Sequence, residues 1–319
     1  MPKRGRLGFS FPVLAGAMLV FLLLLVVGFI VGPLGRSIFG DLGLPGWLSV
    51  PPPAPELPAE KVFHLLGFPI TNSIIGAWLT IAVLVGFSCV VTRRMKIVPG
   101  RLQSAFEFLL GWLYDLCQRV AGEENGRRFF PVVATIFLFV AFNAWLSLIP
   151  GFGSITFATA EGEQVYLLRG ANTDINMPLA LALVSFVFVE YFGLRSLGVR
   201  YLGKFLNVGQ FFSSVIQIVR GRLRAGLSGL FTGFIHIFVG FLEALSELVR
   251  IVSFTFRLFG NMTAGEILLL IAAFLIPWVF AIPFYGLELL VGFVQALIFS
   301  GLTLVFLTIA VAHHGEQAT

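Results

Sequence analysis

A permanent positive charge lies inside an otherwise apolar segment, at Arg257. The stretch SFTFRLFGNMTAGEILLLIAAFLIPW (253–278) holds that arginine, and Glu266 follows it nine residues later. Arginine keeps its charge in proteins, and at the centre of a membrane helix it costs roughly 2.5–3.5 kcal/mol on insertion scales. A charge at that depth indicates a function, and the surrounding polar residues indicate which one.

Polar residues around Arg257 share one face of the predicted helix. At about 100° per residue, six of them fall within about 80° of arc. They are His236, Glu243, Glu247, Arg250, Arg257 and Asn261. Glu266 lies on the opposite face, about 13 Å further along the axis. Such a stripe is either a hydrogen-bond network that joins helices or a path for an ion.

The following apolar segment carries a second, shorter set of polar residues. Glu288 and Gln295 are seven residues apart and therefore share a helix face, with Gly292 between them. A small residue at that place predicts the close approach of a neighbouring helix.

The composition is that of a polytopic membrane protein. The chain has 319 residues, of which 58% are hydrophobic and only 12% charged, and its mean hydropathy is +0.96. The net charge of +5 does not indicate nucleic-acid binding, because the basic residues cluster in loops between apolar runs. Cys89 and Cys117 predict neither a disulfide framework nor a metal site.

Six apolar segments are long enough to span a bilayer as helices. They cover residues 13–31, 73–91, 129–149, 177–195, 227–275 and 278–312. Alternate connections carry sixteen and three Lys and Arg residues, so the positive-inside rule predicts that both termini are cytoplasmic. The fifth segment would be roughly 70 Å long. It must therefore tilt, bend or break, and with the sixth it predicts a steep hairpin.

Two further kinds of segment lie outside these spans. Residues 101–121 and 204–224 have helical amphipathic spacing, and we expect each to lie on the inner membrane surface, with a soluble linker helix as the alternative. The N-terminal run is interpreted as a retained helix rather than a cleaved signal peptide. It is followed by PPPAPELPAE (51–60), which predicts an extended exterior linker. We therefore divide the chain into 1–61 and a membrane domain, 62–319.

The predicted topology arranges the carboxylates around Arg257. Glu243 and Glu247 lie on its cytoplasmic side, whereas Glu266 and Glu288 lie in the outer half of the membrane. Carboxylates at membrane depth usually pair or face water. Two polar half-paths that meet at a fixed positive charge are what a proton translocator needs.

The sequence resembles subunit a of F-type ATP synthases. The resemblance is strongest in FRLFGNMTAGE (256–266) and VGFVQALIFSGLTLVFL (291–307), and it covers about 62–312. Further matching stretches are FPITNS (68–73), VPGRLQSAFEF (98–108), FFPVVATIFLF (129–139), SLIPGFGS (147–154) and NTDINMPLALAL (172–183). The N-terminal extension is not part of the usual five-span pattern, and Ser147 replaces an acid that some members have.

The resemblance implies a role for each matching residue. Arg257 would face the ring carboxylates and separate two half-channels, with Asn261 and Gln295 close to it. Glu266 and Glu288 would line the outer half-channel, Asp174 and Asn176 its entry. Glu243 and Ser253 would belong to the cytoplasmic half-channel. To these the polar stripe adds Glu247 and His236 as candidate residues for proton translocation.

The resemblance also implies an all-α fold of five to six transmembrane helices in a bacterial plasma membrane. The expected partners are a ring of c subunits, the b subunits of a peripheral stalk, the F1 head and the lipid bilayer, with no cofactor, metal or catalytic residue. Protons are the expected coupling ion because they serve in this role more often than sodium ions do. An ion-coupled secondary transporter is the alternative, although the two halves of the chain show no inverted repeat. An intramembrane hydrolase would need a catalytic motif that the sequence lacks, and a purely structural subunit would not explain Arg257.

Overall fold

The chain is an all-α membrane protein, as its apolar pattern predicts. The computed structural model describes residues 11–40, 52, 58–93, 95–158, 164–198, 201, 203, 213–214 and 223–312. Within these ranges, six helices are long and apolar enough to cross a membrane. They are α1 (Phe11–Val31), α3 (Asn72–Arg93), α5 (Glu123–Ser147), α6 (Asn176–Leu197), α7 (Leu223–Leu275) and α8 (Ala281–Ala312).

The two longest helices form the predicted hairpin. α7 runs without interruption for 53 residues, a length of ~80 Å at 1.5 Å per residue. It is joined to α8 by a short turn in which Trp278 has a φ of 75°. Pro283 is the third residue of α8. The first N–H groups of a helix have no acceptor within it, so a proline there costs no hydrogen bond.

The helix α5 is at the centre of the packing. Its residues Phe129, Val133, Phe137 and Val140 are almost fully buried, and it packs most extensively on α8 and on the preceding helix, α4 (Arg101–Ala121). A Cβ on Gly292 of α8 would lie 2.8 Å from the Cβ of Ala144. The close approach predicted at Gly292 is therefore found, and α5 is the neighbouring helix.

The helix α4 (Arg101–Ala121) has the bounds that its amphipathic spacing predicts. Leu113 and Cys117 are fully buried on its apolar side, and Tyr114 packs edge-on against Phe130 of α5 with ring centroids 5.2 Å apart. Gly122 ends α4 with a φ of 80°, which a residue without a Cβ adopts without strain. The chain then enters α5 at once.

The connections contain two small antiparallel strand pairs that the sequence did not predict. β1 (Lys61–Leu65) pairs with β2 (Phe68–Thr71), and β3 (Thr156–Ala158) pairs with β4 (Gln164–Tyr166). Each pair precedes a membrane helix, α3 or α6. A short 3-10 turn at Ala171–Thr173 follows the second pair and packs on α7.

The N-terminal helices contact the end of the hairpin. A Cβ on Gly28 or Gly32 would collide with the backbone oxygen of Pro277 or Leu275, respectively, so glycine allows these backbones to touch. The remainder of α1 is largely exposed, and α2 (Pro33–Phe39) follows it. Most of the linker 51–60 and of the amphipathic segment 204–224 lies outside the described residues.

The α5–α8 contact predicts different effects for two glycine substitutions. Gly292→Ala should destabilise the protein by about 1–3 kcal/mol, because the added methyl group overpacks the contact with Ala144. Gly301→Ala in the same helix adds its methyl group to open space and should leave stability unchanged or slightly raised. Thermal unfolding in detergent, followed by tryptophan fluorescence, measures both. Equal midpoints for the two variants would contradict the packing described.

The burial of Cys117 predicts an unreactive thiol. Burial raises the pKa of Cys117 to about 11, so roughly one thiol in a thousand is ionised at pH 8. In a Cys89→Ser variant, a maleimide at pH 8 should leave the folded protein unmodified by mass spectrometry. The denatured protein should react fully, and labelling of the folded form should rise with pH. Rapid labelling of the folded protein at pH 8 would show that α4 is not packed on α5.

Candidate functional site

Arg257 lies midway along the hairpin, on the long helix α7. Its guanidinium donates a long hydrogen bond of 3.5 Å to the Ser253 hydroxyl, and its Cζ lies 5.9 Å from the centroid of the Phe254 ring. Among the described residues, no carboxylate lies within ion-pair distance of it. The side chain is half-buried, so its charge is open to a group from outside the chain.

The next charged residues toward the start of α7 form an ion pair. Arg250 donates to the Glu247 carboxylate at 2.5 Å, and its Cζ lies 3.8 Å above the centroid of the Phe306 ring of α8. Glu247 is only 4% exposed. This part of the predicted stripe therefore faces α8, and Arg250 neutralises Glu247.

The other members of the stripe are more open. His236 and Glu243 are half-buried, whereas Asn261 is exposed, as is Ser253 beside the stripe. The stripe is therefore unevenly buried. It faces α8 at Glu247, whereas Asn261 lies on the open side of α7.

Glu288 is brought against the helix that carries Glu266. The Glu288 carboxyl packs directly against Gly265, at the place that a Cβ would occupy, and Glu266 is the next residue in the chain. Glu288 is 7% exposed. One Glu266 oxygen, Oε2, is buried and accepts no hydrogen bond from the described residues. Gln295 is buried two turns after Glu288.

Asp174 and Asn176 lie at the start of α6, where Asp174 is a hydrogen-bond acceptor for two elements. The Ser73 hydroxyl of α3 donates to its Oδ2 at 2.5 Å. The backbone and side-chain nitrogens of Asn176 donate to its Oδ1 at 3.1 and 3.0 Å. Asp174 thus joins α3 to α6, and no direct contact links it to Glu266 among the described residues.

The sequence reasoning did not identify several further candidate residues, all of which are polar and buried. Asn143 of α5 donates to Thr80 of α3 at 2.8 Å and accepts from the Asn172 backbone at 3.1 Å. Asn172 Oδ1 and Thr263 Oγ1 have no hydrogen-bond partner in the described part of the chain. Asn172 and Thr263 lie in the stretches that carry the resemblance, but their burial depends on contacts that spacing does not show.

Arg169 was also missed, although it is the single basic residue of the loop 150–176. Its Nη2 lies 3.7 Å from Glu266 Oε2, and its side chain is 10% exposed. A solitary arginine in a loop that is otherwise free of basic residues was the signal that could have identified it.

The arrangement suits ion transfer better than bond-making chemistry. Buried oxygens without partners are places where water binds in proteins, and Asn172, Thr263 and Glu266 supply three of them at one end of the bundle. Within the described ranges, no group of three His, Cys, Asp or Glu side chains could hold a metal ion. The described part of the site offers carboxylates on both sides of Arg257, with which none of them forms an ion pair.

Comparison with known proteins identifies the family. The profile described as ATP synthase A chain matches residues 74–308. ATP synthase subunit a of Desulfosudis oleivorans is 31% identical over 264 residues, which cover 81% of this chain and 98% of that protein. The subunit a of Moorella thermoacetica is 28% identical over 255 residues, with coverages of 80% and 97%. That of Gloeobacter violaceus is 30% identical over 246 residues, with coverages of 77% and 86%. Because the match spans five of the six long helices and includes Arg257, Glu266 and Glu288, this chain belongs to the ATP synthase A chain family.

Proposed function

We propose that the chain is the proton-translocating stator subunit in the Fo sector of an F-type ATP synthase. Two offset half-channels would deliver protons to and from the carboxylates of a rotating c ring, and Arg257 would separate them. The observation that carries the proposal is the half-buried Arg257 without a carboxylate partner among the described residues. The chain's membership of the ATP synthase A chain family supports an ion-translocating role for this charge.

Arg257 would act on a carboxylate that the ring brings to it. An opposite charge favours the ionised form of a carboxylate, so a ring position that faces Arg257 loses its proton. A protonated, neutral ring position can enter the lipid at low cost, whereas an ionised one cannot. The fixed charge would also repel protons, and it would thereby prevent their direct passage between the half-channels.

The outer half-channel would run from the start of α6 to the hairpin. Asp174 and Asn176 would lie at its entry, and Glu266, Glu288 and Gln295 would continue it toward the ring. The buried, unpaired oxygens of Asn172 and Thr263 support this route, since they can bind the water that carries protons between carboxylates.

The inner half-channel would follow the exposed side of α7. We assign to it Ser253, which contacts Arg257, and Glu243 and His236 further along the helix, with Asn261 on the ring-facing side. Glu247 is also a candidate. Because Arg250 neutralises it, it could accept a proton only in competition with that ion pair.

The complex would supply what this chain does not have. We propose that the c ring contacts α7 and α8, that b subunits hold the chain still, and that ATP chemistry takes place in the F1 head. The chain itself would carry no catalytic site and would lie in the bacterial plasma membrane, with residues 1–61 as an addition to the membrane domain 62–319. The membrane potential contributes ~2.3 kcal/mol per charge per 100 mV, and this energy drives the rotation.

The role of Arg257 predicts the behaviour of an alanine variant. Inside-out vesicles with Arg257→Ala should lose ATP-driven acidification while their passive proton leak increases, because the barrier between the half-channels is gone. Acidification, ATP hydrolysis and leak are recorded together. Arg128→Gln is the matched control, since Arg128 is an exposed arginine paired with Glu124 at 2.7 Å. Normal pumping by Arg257→Ala would refute the proposed function.

The contact between Gly265 and Glu288 predicts a loss of flux without a loss of fold. In Gly265→Ala the new methyl group would take the place of the Glu288 carboxyl. That carboxyl is the end of a flexible side chain, so it moves and the complex still assembles. Proton flux should fall about tenfold, because small displacements of a transfer group are costly.

The matched control for this variant is Gly286→Ala. Gly286 lies in α8 two residues before Glu288, and a Cβ there meets nothing within 4 Å. Its flux should equal that of the unsubstituted protein. If Gly265→Ala pumped as fast as Gly286→Ala, the position of the Glu288 carboxyl would not matter for transfer.

A further inference from the structure

We infer that Arg169 is a positioning residue for Glu266, which it holds in place at the outer end of the path. This inference rests on the proposed function, and it assigns to the loop before α6 a direct part in proton uptake.

Three contacts fix the Arg169 guanidinium. Its Nε donates to Thr173 Oγ1 at 3.2 Å, and its Nη1 donates to the Pro58 carbonyl at 3.0 Å. Its Nη2 is directed toward Glu266, 3.7 Å from Oε2. Three separate parts of the chain therefore meet at one side chain: the end of the N-terminal linker, the turn before α6 and the helix α7.

The backbone of Arg169 is fixed as well. A Cβ on Gly76 of α3 would overlap the Arg169 carbonyl oxygen, so the loop lies directly on α3. The Thr173 hydroxyl donates to the Gly170 carbonyl at 2.9 Å, which closes the turn. The guanidinium is thus held by a rigid support rather than by a free loop.

The burial of Arg169 requires a negative partner. Its side chain is 10% exposed, and arginine does not lose its proton when it is buried. Thr173 and Pro58 offer neutral oxygens, which satisfy donors without balancing charge. Glu266 is the carboxylate within 4 Å of it among the described residues, and a buried charge without such a partner is strongly disfavoured.

The distance between the two groups suits a carboxylate that must exchange protons. At 3.7 Å the charges attract each other, but the separation exceeds that of a hydrogen bond. Among the described residues, no donor forms a hydrogen bond with Glu266 Oε2, so its lone pairs remain accessible to an incoming proton. A tight, bidentate pair would instead occupy both oxygens.

The test compares two substitutions of Arg169 in the complete ATP synthase in inside-out vesicles. Arg169→Gln removes the charge and keeps hydrogen-bonding capacity, whereas Arg169→Lys keeps the charge. Passive proton flux after removal of the F1 head, and ATP-driven acidification before it, are measured at equal amounts of assembled complex. Arg128→Gln is the matched control for the loss of an arginine.

We expect Arg169→Gln to lower both fluxes about tenfold, Arg169→Lys to retain at least about half, and Arg128→Gln to change neither. The recovery with lysine separates a charge effect from loss of the three-way contact, which lysine cannot reproduce. Unchanged flux in Arg169→Gln would overturn the inference.

The lysine variant decides the matter if the glutamine variant does not assemble. Retained flux in assembled Arg169→Lys then supports the role of the charge, and lost flux in an assembled complex overturns it. Arg257→Ala is measured in parallel. If Arg257→Ala stops pumping while Arg169→Gln does not, the inference about Arg169 fails and the proposed function stands. Pumping by Arg257→Ala would refute the proposed function itself.

Discussion

The structure depends on the cost of holding a charge where water is scarce. An arginine at membrane depth is stable only when a carboxylate, a polar surface or water compensates it. Arg250 and Arg169 each have a carboxylate partner, Glu247 and Glu266 respectively. Arg257 has only the distant Ser253 hydroxyl among the described residues. The chain therefore compensates Arg250 and Arg169 internally, and under the proposed function Arg257 meets a group from another subunit.

The other helices of the bundle fix the positions of the polar groups around Arg257. The helix α5 packs against α8 through Ala144 and Gly292. It also anchors the loop before α6 through Asn143, which contacts Asn172. Because these contacts are tight, the outer carboxylates have defined positions relative to α7. A proton path needs this rigidity, since transfer between groups falls steeply when they separate.

Apolar length predicted the six spans, and amphipathic spacing predicted α4, because both depend on local sequence alone. The polar stripe on α7 could also be predicted from the local sequence, but the residues of other helices that contact it could not. Which side of α7 faces α8, and hence that Arg250 packs on the Phe306 ring, depends on the rotation of one helix against another. The contact between Arg169 and Glu266 joins residues almost a hundred positions apart. The strand pairs β1–β2 and β3–β4 were too short for a periodic signal.

The most direct test of the account is whether the Arg257 side of α7 faces the carboxylates of a c ring. In a background without Cys89 and Cys117, Asn261→Cys is combined with a cysteine beside the ring carboxylate and the membranes are oxidised. The exposed position 261 should form a disulfide with the ring subunit. Leu258→Cys should not, because Leu258 is 1% exposed and faces the core. Absence of the product at 261, or equal yields at 261 and 258, would contradict the claim that Arg257 serves a passing ring.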